Sequence, residues 1–387
     1  MRKKLLSLGM TVGLTLSLVA CGSTATTEKS SGTSASKDAA ATAPVKEIDL
    51  NPTTVLGVGP NGEKAVSPSE LTLTDAEKQK LKDGNFKAAF VYHMQSNAPN
   101  QVKLAAAKTL LEELGVEVVS VTDANFNAQT EIANIESTMA LKPDVMITMP
   151  VDPEATASAY KEVAKAGTKL VFMENTPKGF KPGKDYASLV NADSYGNGVA
   201  AADMLAQQIG YKGEVAMVYY DAVFFVTNER DRGFKDQIKK YPNIKLVAES
   251  PFADPNKVGE VADGLLVNQP NLKGVYASWD VIAEAVIASA KSAGKNDLVI
   301  TTVDLGENTA RMIAEDGMIR GTAAPRSYDQ GIAEAMAAAY ALLGKQGPTY
   351  ICPPALPVMK ENVVDAFQIA YHKDAPSVVE KALKKGK

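Results

Sequence analysis

The chain is poor in the residues on which most site chemistry rests. It has two cysteines, two histidines and one tryptophan among 387 residues. That is too little for a disulfide scaffold or a cysteine-based zinc site, and His93 and His372 are too remote to share a metal. No Gly-x-Ser-x-Gly elbow is present, so no metal and no cofactor are expected. Basic charge is not in excess either: 41 Lys and Arg against 45 Asp and Glu give a net charge of −4, and the cations are scattered. Nucleic acid is therefore excluded as a partner. Beyond residue 20 no apolar run is long enough to span a bilayer, so any transmembrane component is another protein.

What is present begins with a cationic start, Arg2-Lys3-Lys4, followed by the uncharged stretch Leu5–Ala20. That length suits the core of an export signal better than a membrane span. It ends in Leu18-Val19-Ala20-Cys21-Gly22, which resembles a bacterial lipobox and implies lipidation at Cys21. Residues 1–21 are read as the lipoprotein signal. Residues 22–45 are rich in Ser, Thr and Ala and lack large apolar side chains. They form a tether with a reach of roughly 25–30 Å. Residues 46–85 carry Pro52, Gly57, Gly59, Pro60 and Pro68, then a helix start at Thr74-Asp75-Ala76-Glu77. They are read as a lead-in packing on the body. Cys352, left without a partner, is expected to be a buried apolar residue.

From Phe86 onward, short β-branched runs alternate with amphipathic helical stretches. Expected strands are Ala88–His93, Glu117–Thr122, Asp144–Met149, Lys169–Glu174, Ser188–Asn191, Glu214–Tyr220, Lys245–Glu249, Gly274–Trp279, Leu298–Asp304 and Ile319–Ala323. Such alternation predicts α/β architecture with parallel sheets and right-handed crossovers. Ten strands divide better into two lobes than into one sheet.

In open parallel sheets ligands lie beyond the carboxyl ends of the strands. The residues that follow each expected strand therefore nominate a site. They include His93, Asn97 and Asn100, then Glu174 and Asn175, and then Phe224, Phe225 and Arg230. Phe252, Trp279, Asp280, Asp304 and Arg326 complete the set. Of the adjacent pair Phe224 and Phe225, Phe225 is taken as the cleft residue. Amide, carboxylate and guanidinium groups mixed with aromatics suit a sugar or polyol: planar polar groups grip vicinal hydroxyls, and aromatic faces cover C–H surfaces. Each position also has an ordinary structural use. Asp304 could cap a helix, Arg230 could pair with Glu229 or Asp231 on the surface, and Trp279 could be core.

In order and spacing, Phe90-Val91-Tyr92, Lys142-Pro143-Asp144-Val145, Ala166-Gly167-Thr168-Lys169-Leu170-Val171, Asn228-Glu229-Arg230-Asp231-Arg232-Gly233-Phe234, Asp280-Val281-Ile282-Ala283 and Thr302-Val303-Asp304 resemble a known class. It is the ribose/galactose-type class of solute-binding proteins of sugar ABC importers, with the type I periplasmic fold. The resemblance implies two doubly wound parallel-sheet lobes joined by a three-segment hinge, with ligand in the cleft. The crossings would fall near Ala192–Asp193, Pro325–Arg326 and Pro353–Leu356. The lobes would comprise 86–192 plus 326–353, and 193–325 plus 354–376. The resemblance assigns Arg230 and Asp304 to the ligand. It also places Glu174-Asn175 where ribose binders carry Asp-Arg, Trp279 where they often carry Asn, and Pro325-Arg326 where they carry Gln. The class is kept while the ligand departs from ribose.

The expected function is capture of a sugar or polyol by lobe closure, with delivery to ABC permease subunits. The protein would be a non-enzymatic monomer held by Cys21 at the outer face of the cell membrane, or on the periplasmic side in a two-membrane bacterium. Presentation of ligand to a chemoreceptor or sensor kinase, or binding of a furanone-type signal, are the alternatives. An exported glycoside hydrolase is the enzyme reading, and no nucleophile–base pair supports it.

Overall fold

The computed structural model describes residues 47–222 and 224–385. The export signal, Cys21 and the tether read from the sequence lie outside the described residues. Strands run in chain order as β1 (Lys87–Tyr92), β2 (Glu117–Asp123), β3 (Val145–Thr148), β4 (Lys169–Met173), β5 (Ser188–Val190) and β6 (Gly213–Tyr220). They continue as β7 (Ile244–Phe252), β8 (Leu272–Ala277), β9 (Val299–Val303), β10 (Ile319–Ala324), β11 (Tyr350–Ile351) and β12 (Leu356–Val358). The helices are α1 (Asp75–Asp83), α2 (Ala98–Glu113), α3 (Ala128–Met139), α4 (Ala157–Lys165), α5 (Ser194–Gln208) and α6 (Phe225–Ile238). After them come α7 (Val258–Asn268), α8 (Asp280–Ser292), α9 (Glu307–Ala314), α10 (Ser327–Leu342), α11 (Asp365–Tyr371) and α12 (Ser377–Lys385).

Two six-stranded sheets result, ordered β11-β5-β4-β3-β1-β2 and β12-β10-β9-β8-β6-β7. Offset by five strands, the cores of the two orders are the same. Each expected strand is present, while the two short strands β11 and β12 escape sequence reading because they carry too few residues for a period. Pairing is parallel throughout except β12, which runs antiparallel to β10. This departs from the all-parallel expectation, since β12 enters its sheet directly from β11 of the other lobe without a helical crossover.

Both sheets are covered on both faces, which is why their strands read as continuous apolar runs. In the first lobe Phe90, Tyr92, Ile147 and Val171 pack to one side, and Val91, Met146, Leu170 and Phe172 to the other. The second lobe alternates likewise: Ala216, Val218 and Val275 on one face, Val215, Met217 and Tyr276 on the other.

The chain crosses between sheets three times, between β5 and α5, between β10 and α10, and between β11 and β12. Two helices meet closely beside the first crossing. A Cβ on Gly198 of α5 would overlap the Arg230 carbonyl of α6, and one on Gly233 of α6 would overlap the Tyr195 carbonyl of α5. The α5–α6 contact thus requires glycine on both sides, and it fixes the backbone that carries Arg230.

Gly198→Ala is accordingly expected to cost about 1–3 kcal/mol by overpacking. Gly264→Ala, in α7 where an added Cβ meets nothing within 4 Å, should be neutral or stabilising by up to about 1 kcal/mol. Urea denaturation of both variants checks the contrast; equal stabilities would refute the close-approach account.

Candidate functional site

The carboxyl ends of the strands in both lobes open onto one cavity of about 350 Å³. Its first-lobe wall includes His93, Asn97, Asn100, Lys103 and Glu174, and its second-lobe wall includes Phe224, Arg230, Trp279 and Asp304. A larger hollow of about 410 Å³ lies at the opposite end of the first lobe around Lys169, Lys184 and Lys345. It is lined by one lobe only, so the inter-lobe cavity is the better ligand site.

The two halves of the cavity are built alike. Glu174 directly follows β4, and Asp304 directly follows β9, its counterpart in the second sheet. Both residues take left-handed backbone, with φ of 55° and 78°. Non-glycine residues adopt that conformation at a cost, commonly at functional sites. Each carboxylate faces a cation from an equivalent helix. Lys103, the sixth residue of α2, donates to Glu174 Oε1 at 2.6 Å. Arg230, the sixth residue of α6, stands 3.6 Å from Asp304 Oδ1.

Burial alone would raise the Glu174 pKa, but Lys103, the His93 ring once acid protonates it, and Arg230 outweigh it and hold the carboxyl at about 2. Behind Lys103 lies Glu334 of α10, which burial pushes up to about 8. At neutral pH Glu334 is therefore mostly protonated, and it accepts a hydrogen bond from the Tyr92 hydroxyl at 3.4 Å. Lys103 is left to serve Glu174.

Two buried donors on lining residues are unfilled. Asn100 Nδ2 donates to His93 Nε2 at 3.1 Å, which assigns the imidazole proton to Nδ1. Burial lowers the His93 pKa, so the ring is neutral. His93 Nδ1 and Arg230 Nε are buried and have no protein partner among the described residues. Buried donors of this kind are normally satisfied, so a ligand or water is their natural complement.

Of the nominated residues, His93, Asn97, Asn100, Glu174, Arg230, Trp279 and Asp304 line the cavity. Asn97 also caps α2, accepting from the Asn100 N–H at 2.9 Å. Arg230 is only 8% exposed and turned away from Glu229, which Arg232 holds instead. Asp304 does not cap α9, whose N-cap is Gly306. Trp279 does both jobs open to it, lining the cavity while stacking edge-on against Tyr220 and Phe252.

The other five nominees lie outside the lining. Phe252 is the buried backing of Trp279, 5.3 Å between ring centroids. Asp280 sits at the first turn of α8, where burial and the neighbouring Asp304 carboxylate raise its pKa to about 7. Asn175 turns toward the Pro150 carbonyl. Phe225 packs against the first-lobe cluster of Phe172 and Tyr160, so Phe224 rather than Phe225 is the cavity aromatic. Arg326 is committed elsewhere: it donates to the Pro354 and Pro52 carbonyls and to Asn51 Oδ1. One helical turn on, Gln330 takes the place in the lining expected for Arg326.

Lys103 and Gln330 escape a strand-end reading because each sits on a helix. The helical spacing of Lys103 from the Asn97 cap and of Gln330 from Arg326 was the available signal. Cys352 is fully buried, as its composition suggested.

A family model described as periplasmic binding protein domain matches residues 79–346. The D-allose-binding periplasmic protein of Escherichia coli is 28% identical over 187 residues, 46% of this chain and 60% of that protein. The D-apiose import binding protein of Actinobacillus succinogenes is 25% identical over 226 residues, 58% of this chain and 71% of its own length. Among solved structures, an arabinose binding protein from Geobacillus stearothermophilus superimposes with a TM-score of 0.66 at 21% identity. It covers 73% of this chain and 99% of that one. A solute-binding protein from Agrobacterium vitis bound with α-D-tagatopyranose gives a TM-score of 0.64 at 22% identity, covering 74% and 100%.

The Lys103–Glu174 pair predicts an acid-dependent stability term. A carboxyl held at about 2 against an ordinary 4.5 contributes roughly 3 kcal/mol. Because the folded-state pKa is depressed, that term is complete above about pH 4.5 and fades as pH falls toward 2. Lys103→Met should therefore be much less stable than the parent at pH 7 in urea denaturation, with the gap narrowing at pH 3. A gap that stays constant with pH would show that the pair does not set the Glu174 charge.

Proposed function

Because the chain belongs to the periplasmic binding protein family, whose members are extracytoplasmic binding proteins rather than enzymes, we propose that it captures a neutral sugar or polyol in the inter-lobe cavity and hands it to an ABC permease. The observation that carries this reading is the doubled cation–carboxylate pair. Lys103–Glu174 in one lobe and Arg230–Asp304 in the other present fixed acceptors and donors to a single space. Ionised groups with unused hydrogen-bonding capacity bind vicinal hydroxyls strongly, and the Trp279 ring offers an apolar face for C–H groups. His93, Asn97, Asn100 and Gln330 would complete the polar lining.

Relatives named for D-allose, D-apiose and ribose support the sugar assignment. The pairing also argues for a neutral ligand, since each cation already has its carboxylate and an anionic sugar would meet Glu174 and Asp304. With walls drawn from both lobes, ligand favours the state in which the lobes are together, and the permease would recognise that state. Residues 1–21 would direct export, Cys21 would carry the lipid, and 22–45 would be the tether. Among the described residues no helix is long and apolar enough to cross a membrane.

The test is a thermal-shift and calorimetry panel of pentoses, hexoses and polyols on the protein lacking residues 1–21. At least one compound should bind and raise the melting temperature. Asp304→Asn and Arg230→Met should then each weaken that compound roughly 10- to 150-fold, the worth of a hydrogen bond to a charged group. A panel without a single binder would overturn the sugar assignment.

A further inference from the structure

The lead-in segment lies largely ahead of the matched domain, which begins at residue 79, yet it is bonded to all three lobe crossings. It starts on the second lobe, where Ile48 and Leu50 pack against the cluster of Met204, Leu205 and Met359. Asn362 Nδ2 also reaches the Leu50 carbonyl at 3.5 Å. Arg326, at the second crossing, donates Nη2 to Asn51 Oδ1 at 2.8 Å and to the Pro52 carbonyl at 3.1 Å. Its Nε donates to Pro354 in the third crossing at 3.1 Å. Asp193, at the first crossing, accepts from the Leu56 and Gly57 N–H groups at 2.7 and 2.9 Å while capping α5 through Gly196.

The segment ends on the first lobe. Val55 and Ala65 pack against the cluster of Phe172 and Tyr350. Val66 pairs with Ile351, donating to the Tyr350 carbonyl at 3.1 Å and accepting from Cys352 at 3.0 Å. Thr72 exchanges hydrogen bonds with the Tyr340 hydroxyl at 2.9 and 2.8 Å. Five residues lie between Leu50 and Leu56, and the Val58–Lys64 bridge folds the chain ahead of Val66 into a hairpin.

We propose that residues 47–72 form an intramolecular strap limiting how far the lobes separate, and that Asp193 and Arg326 are positioning residues for lobe movement through this strap. The proposal rests on the reading that ligand capture involves lobe closure. Swinging the lobes apart about their crossings would have to break the attachment at Leu50, the Arg326 and Asp193 bonds, or the Val66 pairing. The strap therefore restricts the ligand-free ensemble toward the binding-competent arrangement, and releasing it lowers apparent affinity by the competent fraction lost.

The test is pulsed dipolar spectroscopy on the full chain carrying Cys21→Ser, with spin labels at Gln129→Cys in α3 and Val267→Cys in α7. These helices flank β2 and β7, the sheet edges farthest from the crossings, where opening is greatest. Cys352 is buried and stays unlabelled. Arg326→Met should shift the ligand-free distance to longer values and broaden it, and Leu50→Ser/Asn51→Ala, which leaves both lobes intact, should do the same. Hydrogen exchange at Leu56 and Gly57 should rise in both. An unchanged distance distribution despite faster exchange overturns the strap. Unchanged exchange overturns the assignment of Arg326 as its anchor. A parent whose distance does not respond to a sugar that binds in calorimetry defeats lobe closure itself, whatever the variants do.

Discussion

A carboxylate at the end of a buried strand keeps its charge only if a cation is brought to it. Here Lys103 meets that requirement for Glu174, and Arg230 stands 3.6 Å from Asp304 at the equivalent point of the second lobe. The rest of the site follows from it. Each cation must stand on the helix that leaves the first strand of its lobe, and each carboxylate must turn back over the end of the fourth. The left-handed backbone at both carboxylates aims them accordingly. A buried ion pair is weak evidence for stability, because desolvation offsets most of its attraction. Two such pairs at equivalent points of two lobes are better explained by what they present to the space between them.

The duplication also accounts for a departure from the family pattern. The resemblance to ribose binders implies a first-lobe cation beside the carboxylate, where this chain has Asn175. The structure supplies the charge from another element, since Lys103 Nζ reaches Glu174 from α2. A lysine ammonium is a compact point charge, whereas an arginine fork is planar and has donors to spare. Each half keeps one buried donor without a protein partner among the described residues, His93 Nδ1 in the first lobe and Arg230 Nε in the second.

Much of this was legible in the sequence because parallel strands announce themselves by β-branched runs, and their carboxyl ends nominate the site. Each expected strand formed, and seven of the twelve nominated residues line the cavity. The misses share a physical cause. A strand-end rule marks a neighbourhood without saying which way a side chain turns, so it selects Phe225 where Phe224 lines the cavity. Nor does it register helix residues such as Lys103 and Gln330, which reach the same space from inside an apolar pattern. Arg326 was misplaced because the lead-in that claims it has no periodicity to reveal where it lies.

That lead-in changes how the hinge itself is understood. Three chain crossings alone would leave rotation between lobes governed by a few backbone torsions at Ala192–Asp193, Pro325–Arg326 and Pro353–Ala355. Proline already narrows those torsions at three positions. The added segment differs in kind, since it acts through contacts on the lobes rather than through the torsions of the crossings. Its bonds to Asp193 and Arg326 use charged partners that are nearly buried, at 1% and 9% exposure, where a hydrogen bond to an ionised group is strong and its loss leaves a charge unsatisfied. Opening the lobes by breaking such bonds is costly, whereas opening within their tolerance is not. On the proposed strap, a small angular range is therefore favoured over free hinging.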